Sequence, residues 1–263
     1  MIKSNNLFNN ANMREIDSKD GIHVFEFQKD LSVSPENSIV AYYSAEMNIK
    51  KRQVLIELNG RTFTLSAGAM QWMAGDVKMG SGVKGLGDFI GKTLSAKISK
   101  ETTIKPEYSG SGMVMLEPTY RYILLENVEK WNGLVLDDGL FLACDSRIKQ
   151  KIVARTNLSS AVLGNEGLFN LCLEGQGVAI LESPVPREEL IEFELENDIL
   201  KIDGNMAIAW SNTLKFTVEK SGKSLLGSAI SGEGLVNVFQ GTGKILMAPL
   251  GINPKTSVGA IGK

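Results

Sequence analysis

One stretch of the sequence has most of the features of a phosphate-binding loop. The run Gly87-Asp88-Phe89-Ile90-Gly91-Lys92-Thr93 ends in Gly-Lys-Thr, and in that motif backbone N–H groups and the lysine cradle nucleotide phosphates. The motif requires four residues between its glycines, but only three separate Gly87 from Gly91, and Leu86 stands where a glycine is needed. We therefore interpret this stretch as a loop between strands rather than as a nucleotide site.

The same glycine-rich loop is the candidate partner-contact surface. Leu86, Phe89 and Ile90 give it an apolar tip, and contiguous exposed apolar groups mark sites of contact with a partner or with lipid. The candidate loop lies between residues 82 and 93 and consists of Gly82, Gly85, Leu86, Gly87, Phe89, Ile90, Gly91 and Lys92.

Two further patterns resemble catalytic or metal sites. His23 is the only histidine, which excludes a multi-histidine metal site and most nucleophile–histidine pairs; we expect a surface or edge role for it. Ser146 and Lys149 have the Ser-x-x-Lys spacing, which needs a helix to bring both side chains onto one face. The local pattern is that of a strand, where positions i and i+3 point to opposite faces.

The acidic residues and the cysteines do not match the pattern of a known metal or redox site either. Glu192, Glu194 and Glu196 share one strand face and are conceivable oxygen ligands for a hard cation, but a solvated outer face is the simpler interpretation. Cys144 and Cys172 match no metal or redox spacing, and their apolar neighbours predict small buried side chains. We predict no catalytic residue, no metal and no cofactor.

The overall composition narrows the class of protein. The 263 residues are 43% hydrophobic and 22% charged, with a net charge of −2, so no strong positive field indicates binding to nucleic acid or to an anionic membrane. No secretory signal precedes residue 30, and no apolar run reaches the ~18 residues of a spanning helix. These observations predict a cytoplasmic protein.

The elements that must carry any site are organised by an internal repeat. Gly-x-Gly pairs followed by an apolar run begin at Gly110, Gly175 and Gly241, at intervals of 65 and 66 residues. Such a period is too long for a solenoid unit, and it predicts three β-modules packed about a pseudo-threefold axis. We place the modules at about 21–119, 120–185 and 186–250 of one domain, after a disordered terminus (1–20) and before a loose tail (251–263).

Short alternating runs and glycine turns predict an all-β fold of sandwich or barrel type. The runs at 134–136, 140–143 and 192–196 have the period of strands. Before the repeats, residues 23–27, 38–43 and 54–58 have the composition of additional strands.

Several ordered motifs closely resemble one protein family. They are Ala67–Gly75, Asp138–Asp145, Gly164–Phe169 and Gly232–Val236, and they resemble the altered-inheritance-of-mitochondria protein twenty-four family, also called the mitochondrial biogenesis family, across residues 25 to 250. The resemblance implies a TRAP-like β-fold, related to the tryptophan RNA-binding attenuation protein, with three similar units. Family members in eukaryotes are linked to the mitochondrial inner membrane, but the acidic N-terminus of this chain lacks the character of a transit peptide, which indicates a bacterial-type member.

The sequence thus predicts a non-enzymatic structural or interaction scaffold. The expected partner is a protein that contacts the 82–93 loop, and a homo-oligomer or a peripheral membrane contact is compatible with that loop. RNA binding, by analogy with the TRAP-like fold, and small-ligand binding in a β cleft are the alternatives.

Overall fold

The computed structural model describes residues 3–80, 105–154, 169–204, 206–220 and 235–249. In these ranges the chain is all-β, with a nearly closed, barrel-like sheet and one α-helix, α1 (Ser38–Glu46). The strands are β1 (Met13–Lys19), β2 (Ile22–Phe27), β3 (Arg52–Glu57), β4 (Thr62–Leu65), β5 (Met70–Gly80), β6 (Glu107–Leu116), β7 (Tyr122–Asn127), β8 (Leu134–Leu136), β9 (Phe141–Asp145), β10 (Lys149–Ala154), β11 (Phe169–Glu174), β12 (Val178–Ser183), β13 (Ile191–Asp203), β14 (Ala207–Ser211), β15 (Lys215–Lys220) and β16 (Leu235–Met247). No helix in the described ranges is long and apolar enough to cross a membrane.

The described strands form two sheets. The nine-stranded sheet has the order β1-β2-β3-β6-β4-β9-β12-β7, with β5 also paired to β6, and the seven-stranded sheet has the order β10-β11-β8-β14-β16-β13, with β15 also paired to β16. The chain divides into two compact units, residues 1–128, 139–149 and 175–183 in the first and 129–138, 150–174 and 184–263 in the second. The second predicted module, 120–185, is therefore shared between the two units.

The first unit buries apolar side chains on both faces of its sheet. Val24 and Ile56 belong to one core cluster, whereas Phe25 and Leu55, their immediate neighbours in the chain, belong to another. Because successive side chains of a strand point to opposite faces, two separate cores stabilise the same pair of strands. This explains why β3 is apolar without strict alternation.

The second unit has a core of its own built around aromatic rings. Trp210 lies 5.3 Å from Phe216 and 5.4 Å from Phe239, measured between ring centroids. Cys172 is fully buried in the same cluster and Cys144 is buried in the first unit, both as free thiols. The prediction that the cysteines are small buried side chains is confirmed.

One pattern of strand pairing recurs three times with the same irregularity. In β5–β6, β9–β12 and β14–β16 a single residue is skipped in an otherwise regular antiparallel register, at Gln71, Leu142 and Ile208. These bulges are 71 and 66 residues apart, and the second interval equals that between the corresponding Gly-x-Gly pairs. Two of the bulged carbonyls accept hydrogen bonds from the residue that follows the neighbouring strand, Leu142 from the Ser66 N–H after β4 and Ile208 from the Asp137 N–H after β8.

The first Gly-x-Gly pair lies in β6 where the backbone of β5 approaches closely. A side chain at Gly110 would meet the Asp76 carbonyl oxygen at 2.1 Å, and one at Gly112 would meet the Ala74 carbonyl oxygen at the same distance. The first glycines of the three pairs share a positive φ, 121° at Gly110, 115° at Gly175 and 127° at Gly241, a conformation that favours glycine. The motif therefore recurs for a conformational reason, to which the first pair adds a steric one.

Two predictions about local structure are wrong. Part of the terminus predicted to be disordered, Met13–Lys19, is β1, which pairs with β2 because that strand offers it a free edge. Residues 38–43, predicted as a strand, lie in α1. The apolar runs at 158–163 and 224–230 and the predicted loose tail, 251–263, lie outside the described residues.

Candidate interaction surface

Helix α1 lies in the connection between β2 and β3. The pairing of these two strands ends at Glu26 and Arg52, with one further bond from the Phe27 N–H to the Lys51 carbonyl. Pro35 starts a 3-10 turn at Pro35–Asn37, and α1 follows it directly; its helical hydrogen bonds satisfy backbone groups that have no strand to pair with. Ile39 and Val40 favour strands, but no strand partner is available to them.

The large side chains of α1 point away from the protein. Ala41 and Ser44 are partly covered, whereas Ile39 is 70% exposed, Tyr43 63% and the capping residue Met47 75%. A surface helix usually turns its apolar side towards the core, and α1 does the reverse. We call its outward residues the α1 surface; they are Ile39, Val40, Tyr42, Tyr43 and Met47.

A buried arginine fixes the base of this connection. Arg52 is 3% exposed; its Nη2 lies 2.8 Å from Glu26 Oε2, and its guanidinium lies 3.9 Å from the centre of the Tyr122 ring. Lys50 donates to the other oxygen of Glu26 at 3.1 Å. A buried charge is stable only when it is paired and hydrogen-bonded, so these contacts hold the two ends of the connection together.

A second ion pair fastens the same base to the segment before β7. Asp30 accepts hydrogen bonds from Lys51 Nζ and the Tyr120 hydroxyl, each at 2.8 Å. Burial alone would raise the pKa of Asp30, but these two hydrogen bonds outweigh it and lower the pKa below its usual value. Burial and the neighbouring Asp30 carboxylate raise the pKa of Tyr120 to about 12.

The first unit also contains an open cavity of about 400 Å³. Glu117 and Glu182 line it at corresponding places in two of the recurrent strand pairs, since their N–H groups donate to the Ala69 and Leu140 carbonyls at 2.8 and 2.7 Å. Phe141 forms part of its wall, with the Lys105 ammonium 4.8 Å from the ring centre. The lining thus combines two acidic side chains with apolar surface, and the Lys105 ammonium covers the ring of Phe141.

The residues singled out in the sequence are not brought together. The candidate loop lies outside the described residues, with all of Gly82, Gly85, Leu86, Gly87, Phe89, Ile90, Gly91 and Lys92. Glu192 and Glu194 are paired with Lys244 on the exposed face of β13, as a solvated face requires. In the described ranges no cluster of three metal-ligating residues occurs.

The single histidine is half-buried within the sheet rather than at its edge. His23 lies on β2, between β1 and β3, with Nδ1 3.3 Å from Glu15 and Nε2 3.9 Å from Glu57. It stacks on Phe25 with ring centroids 6.3 Å apart. Ser146 lies in the turn between β9 and β10, and Lys149 begins β10, so the strand expected across both residues is interrupted. In that turn the Arg147 N–H and guanidinium donate to the two carboxylate oxygens of Asp145.

Sequence reasoning missed both the α1 surface and its base. The basic run Lys50-Lys51-Arg52 at the start of a strand was the available signal for the base, because arginine in a strand interior needs a partner. The contacts to Tyr120 gave no local signal, since 90 residues separate Tyr120 from Asp30.

Comparison with known proteins identifies relatives along most of the chain. The family model described as mitochondrial biogenesis AIM24 matches residues 43–250. An uncharacterized protein of Streptococcus pyogenes serotype M6 is 28% identical over 210 residues, which cover 75% of this chain and 82% of that protein. The crystal structure of another Streptococcus pyogenes protein superposes with a TM-score of 0.56 at 25% identity and covers 77% of this chain and 89% of that one.

Proposed function

Since this chain belongs to the mitochondrial biogenesis AIM24 family, as a member with bacterial relatives, we propose that it is a non-enzymatic scaffold that assembles through the α1 surface. The observation that carries this proposal is the exposure of α1, whose large apolar side chains lie in solvent while Ala41 and Ser44 are partly covered. Contiguous exposed apolar surface is costly in water and marks sites of association. The contacts of Arg52 and Glu26 support the same interpretation, since they fix the two ends of the connection that carries α1.

The test compares proteins that differ only at the α1 surface. We expect a Tyr42→Ser, Tyr43→Ser variant to lose associations that the wild-type protein makes, whereas Met79→Ser, which removes a residue 62% exposed on β5, retains them. Cross-linking mass spectrometry would identify peptides attached to α1, and each candidate would then be purified and its affinity measured by calorimetry. Equal binding by both variants, or substrate turnover that a point substitution abolishes, would contradict the proposal.

The fold behind this scaffold is proposed to consist of three related β-units in a TRAP-like arrangement. The recurring bulges at Gln71, Leu142 and Ile208 support this proposal, because unrelated strand pairs have no reason to share both register and irregularity. The cytoplasmic location stays a prediction from the sequence. RNA binding depends only on the TRAP-like resemblance, and a salt-dependent mobility shift with single-stranded RNA tests it.

The cavity favours small-ligand binding in a β cleft as a second candidate function. The two carboxylates suit an organic cation, which gains ion pairing with them. Calorimetric titration with a short aliphatic diamine tests this, with Glu117→Gln and Glu182→Gln each expected to weaken binding about tenfold, or ~1.4 kcal/mol. The control variant Glu188→Gln removes an exposed acid of the other unit and should bind the diamine as the wild-type protein does. If sodium chloride at equal ionic strength gave the same heat as the diamine, ligand binding in the cavity would be excluded.

A further inference from the structure

We infer that the occupant of the α1 surface is a second copy of this chain, packed with the two α1 helices antiparallel across a twofold axis. This inference rests on the proposed function, because it specifies what the exposed helix assembles with. Three properties of the α1 surface carry it: the spacing of its side chains, the charges at its ends, and its size.

The side chains of α1 form a row that is complementary to itself. Ile39, Tyr43 and Met47 are spaced at i, i+4 and i+8, and residues four apart form a ridge along a helix. In an antiparallel pair the twofold axis passes beside Tyr43, so that each Ile39 lies opposite the Met47 of the other copy. An isologous contact needs this kind of symmetric patch, in which the same residues serve both sides.

The charges at the ends of α1 are placed for an antiparallel neighbour. Glu46 lies in the last turn, where the helix dipole disfavours an acid, and that turn contains no basic residue. The first turn contains no acidic residue, and Asn37 makes no side-chain capping bond. Antiparallel packing brings Glu46 of each copy towards the N-terminal end of the other helix, where the helix dipole favours an acid.

Glu36 is the other acid near the start of the helix. It lies before the first turn, and its carboxylate is engaged by Ser34 and by its own backbone N–H. The first turn of α1 contains no acid of its own, so the positive end of its dipole favours an acid from outside the helix.

The size of the α1 surface sets the strength of the dimer. The two tyrosines, each more than 60% exposed, together offer roughly 250 Å², since one aromatic side chain presents about 150–250 Å². With Ile39, Val40 and Met47 the contact lies at the small end of specific interfaces, below about 1,200 Å² in total. We therefore expect a dissociable dimer with a Kd on the order of micromolar.

The test is sedimentation velocity of the full-length protein from about 1 to about 100 μM, a range that brackets this Kd. The wild-type protein is expected to shift from monomer to dimer, and Tyr43→Glu is expected to stay monomeric because it places like charges beside the axis. Ile199→Glu introduces the same charge at a side chain that is 51% exposed on β13 and should leave the dimer intact. Circular dichroism and the thermal midpoint check that both variants fold.

A mixed-variant experiment identifies the twofold contact itself. Tyr43→Glu and Tyr43→Lys should each be monomeric alone and should form a dimer when mixed, because opposite charges then meet beside the axis. A wild-type protein that stays monomeric throughout, a dimer that Tyr43→Glu does not weaken, or a mixture that does not associate would each overturn the inference. A wild-type monomer that binds phosphatidylcholine vesicles through α1 would assign the surface to lipid and would also overturn it.

The dimer and the proposed function can fail separately. If the wild-type protein is monomeric but a purified partner binds it in a manner that requires Tyr43, the dimer is excluded and the scaffold function stands. If no association of any kind depends on the α1 surface, both are excluded.

Discussion

In the part of the chain that the structure describes, the buried charged residues stabilise the fold and do not form a reactive site. Arg52 is buried against Glu26 and Tyr122, and Asp145 is buried against its own turn. Each charge has a complete set of partners within the described residues, so neither is poised for proton transfer or metal binding. The buried charges of these two residues stabilise loops.

Substitution of Arg52 tests the base of the α1 connection. We expect Arg52→Gln to lower the free energy of unfolding by about 3 kcal/mol, because Glu26 keeps a half-buried charge without its main partner. Arg52→Lys keeps the charge but loses the planar stacking on Tyr122, so an intermediate loss is expected. Urea denaturation measures both; a loss below ~1 kcal/mol for Arg52→Gln would mean that the pair contributes as little as a surface ion pair.

Asp145 gives a prediction about pH. Burial alone would raise the pKa of Asp145, but hydrogen bonds from Arg147 outweigh it and lower the pKa below 3.8. A carboxyl whose pKa is lowered by folding stabilises the protein above its unfolded-state pKa, and this stabilisation is lost as the pH falls below 3.8 through the folded-state value.

The matching experiment compares Asp145→Asn with the wild-type protein. At pH 7 the variant is expected to lose about 1–3 kcal/mol of unfolding free energy, as buried hydrogen bonds are removed. Below pH 3.8 the difference should shrink, because the wild-type side chain is then being protonated too. Asp138→Asn, at an exposed turn position, is the control, and a difference that is independent of pH would show that the charge of Asp145 has no role.

Among the elements, the pair β5–β6 depends on glycine because the two backbones approach closely there. Gly112 is the clearest example, because its φ is not in the left-handed region while a Cβ there would lie 2.1 Å from the Ala74 carbonyl oxygen. At Gly112 the need for space can therefore be tested separately from the need for a positive φ. Helix α1 represents the opposite case, an element that the rest of the fold leaves uncovered.

A matched pair of alanine substitutions tests this close approach. Gly112→Ala is expected to destabilise the protein by at least ~3 kcal/mol, because a backbone contact at 2.1 Å cannot relax without moving β5. Gly80→Ala, at a glycine of β5 with open space around it and no positive φ, should change stability by less than about 1 kcal/mol. Thermal unfolding measures both, and similar losses in the two variants would show that the close approach tolerates a side chain.

At the scale of the whole molecule, the proposal of three related β-units makes a geometric prediction. Lys78, Lys149 and Lys215 are exposed and occupy corresponding positions, 71 and 66 residues apart. Spin labels placed on cysteine at any two of them should report one common distance if a pseudo-threefold axis relates the units. Three clearly different distances, measured by double electron–electron resonance, would exclude that axis; the native cysteines are buried and should stay unlabelled.

The all-β class, the family and several strands of the repeat could be predicted from the sequence alone. The Gly-x-Gly pairs and the period-two runs allowed this, because both depend on local backbone geometry, which nearby residues dictate. The prediction of a strand at 38–43 was wrong although it followed the local residue preferences, since Ile39, Val40 and Tyr42 favour strands.

The contacts between distant residues, and the surface that stays exposed, could be known only from the folded chain. Arg52 donates to the Tyr120 carbonyl across 68 residues, and Asp30 accepts from the hydroxyl of the same tyrosine across 90; no local spacing rule operates over such separations. The pairing of β2 with β3 ends at Glu26 and Arg52, and the residues of α1 satisfy their backbone groups by helical hydrogen bonds instead of a strand ladder. This tertiary context outweighs the strand preference of Ile39 and Val40.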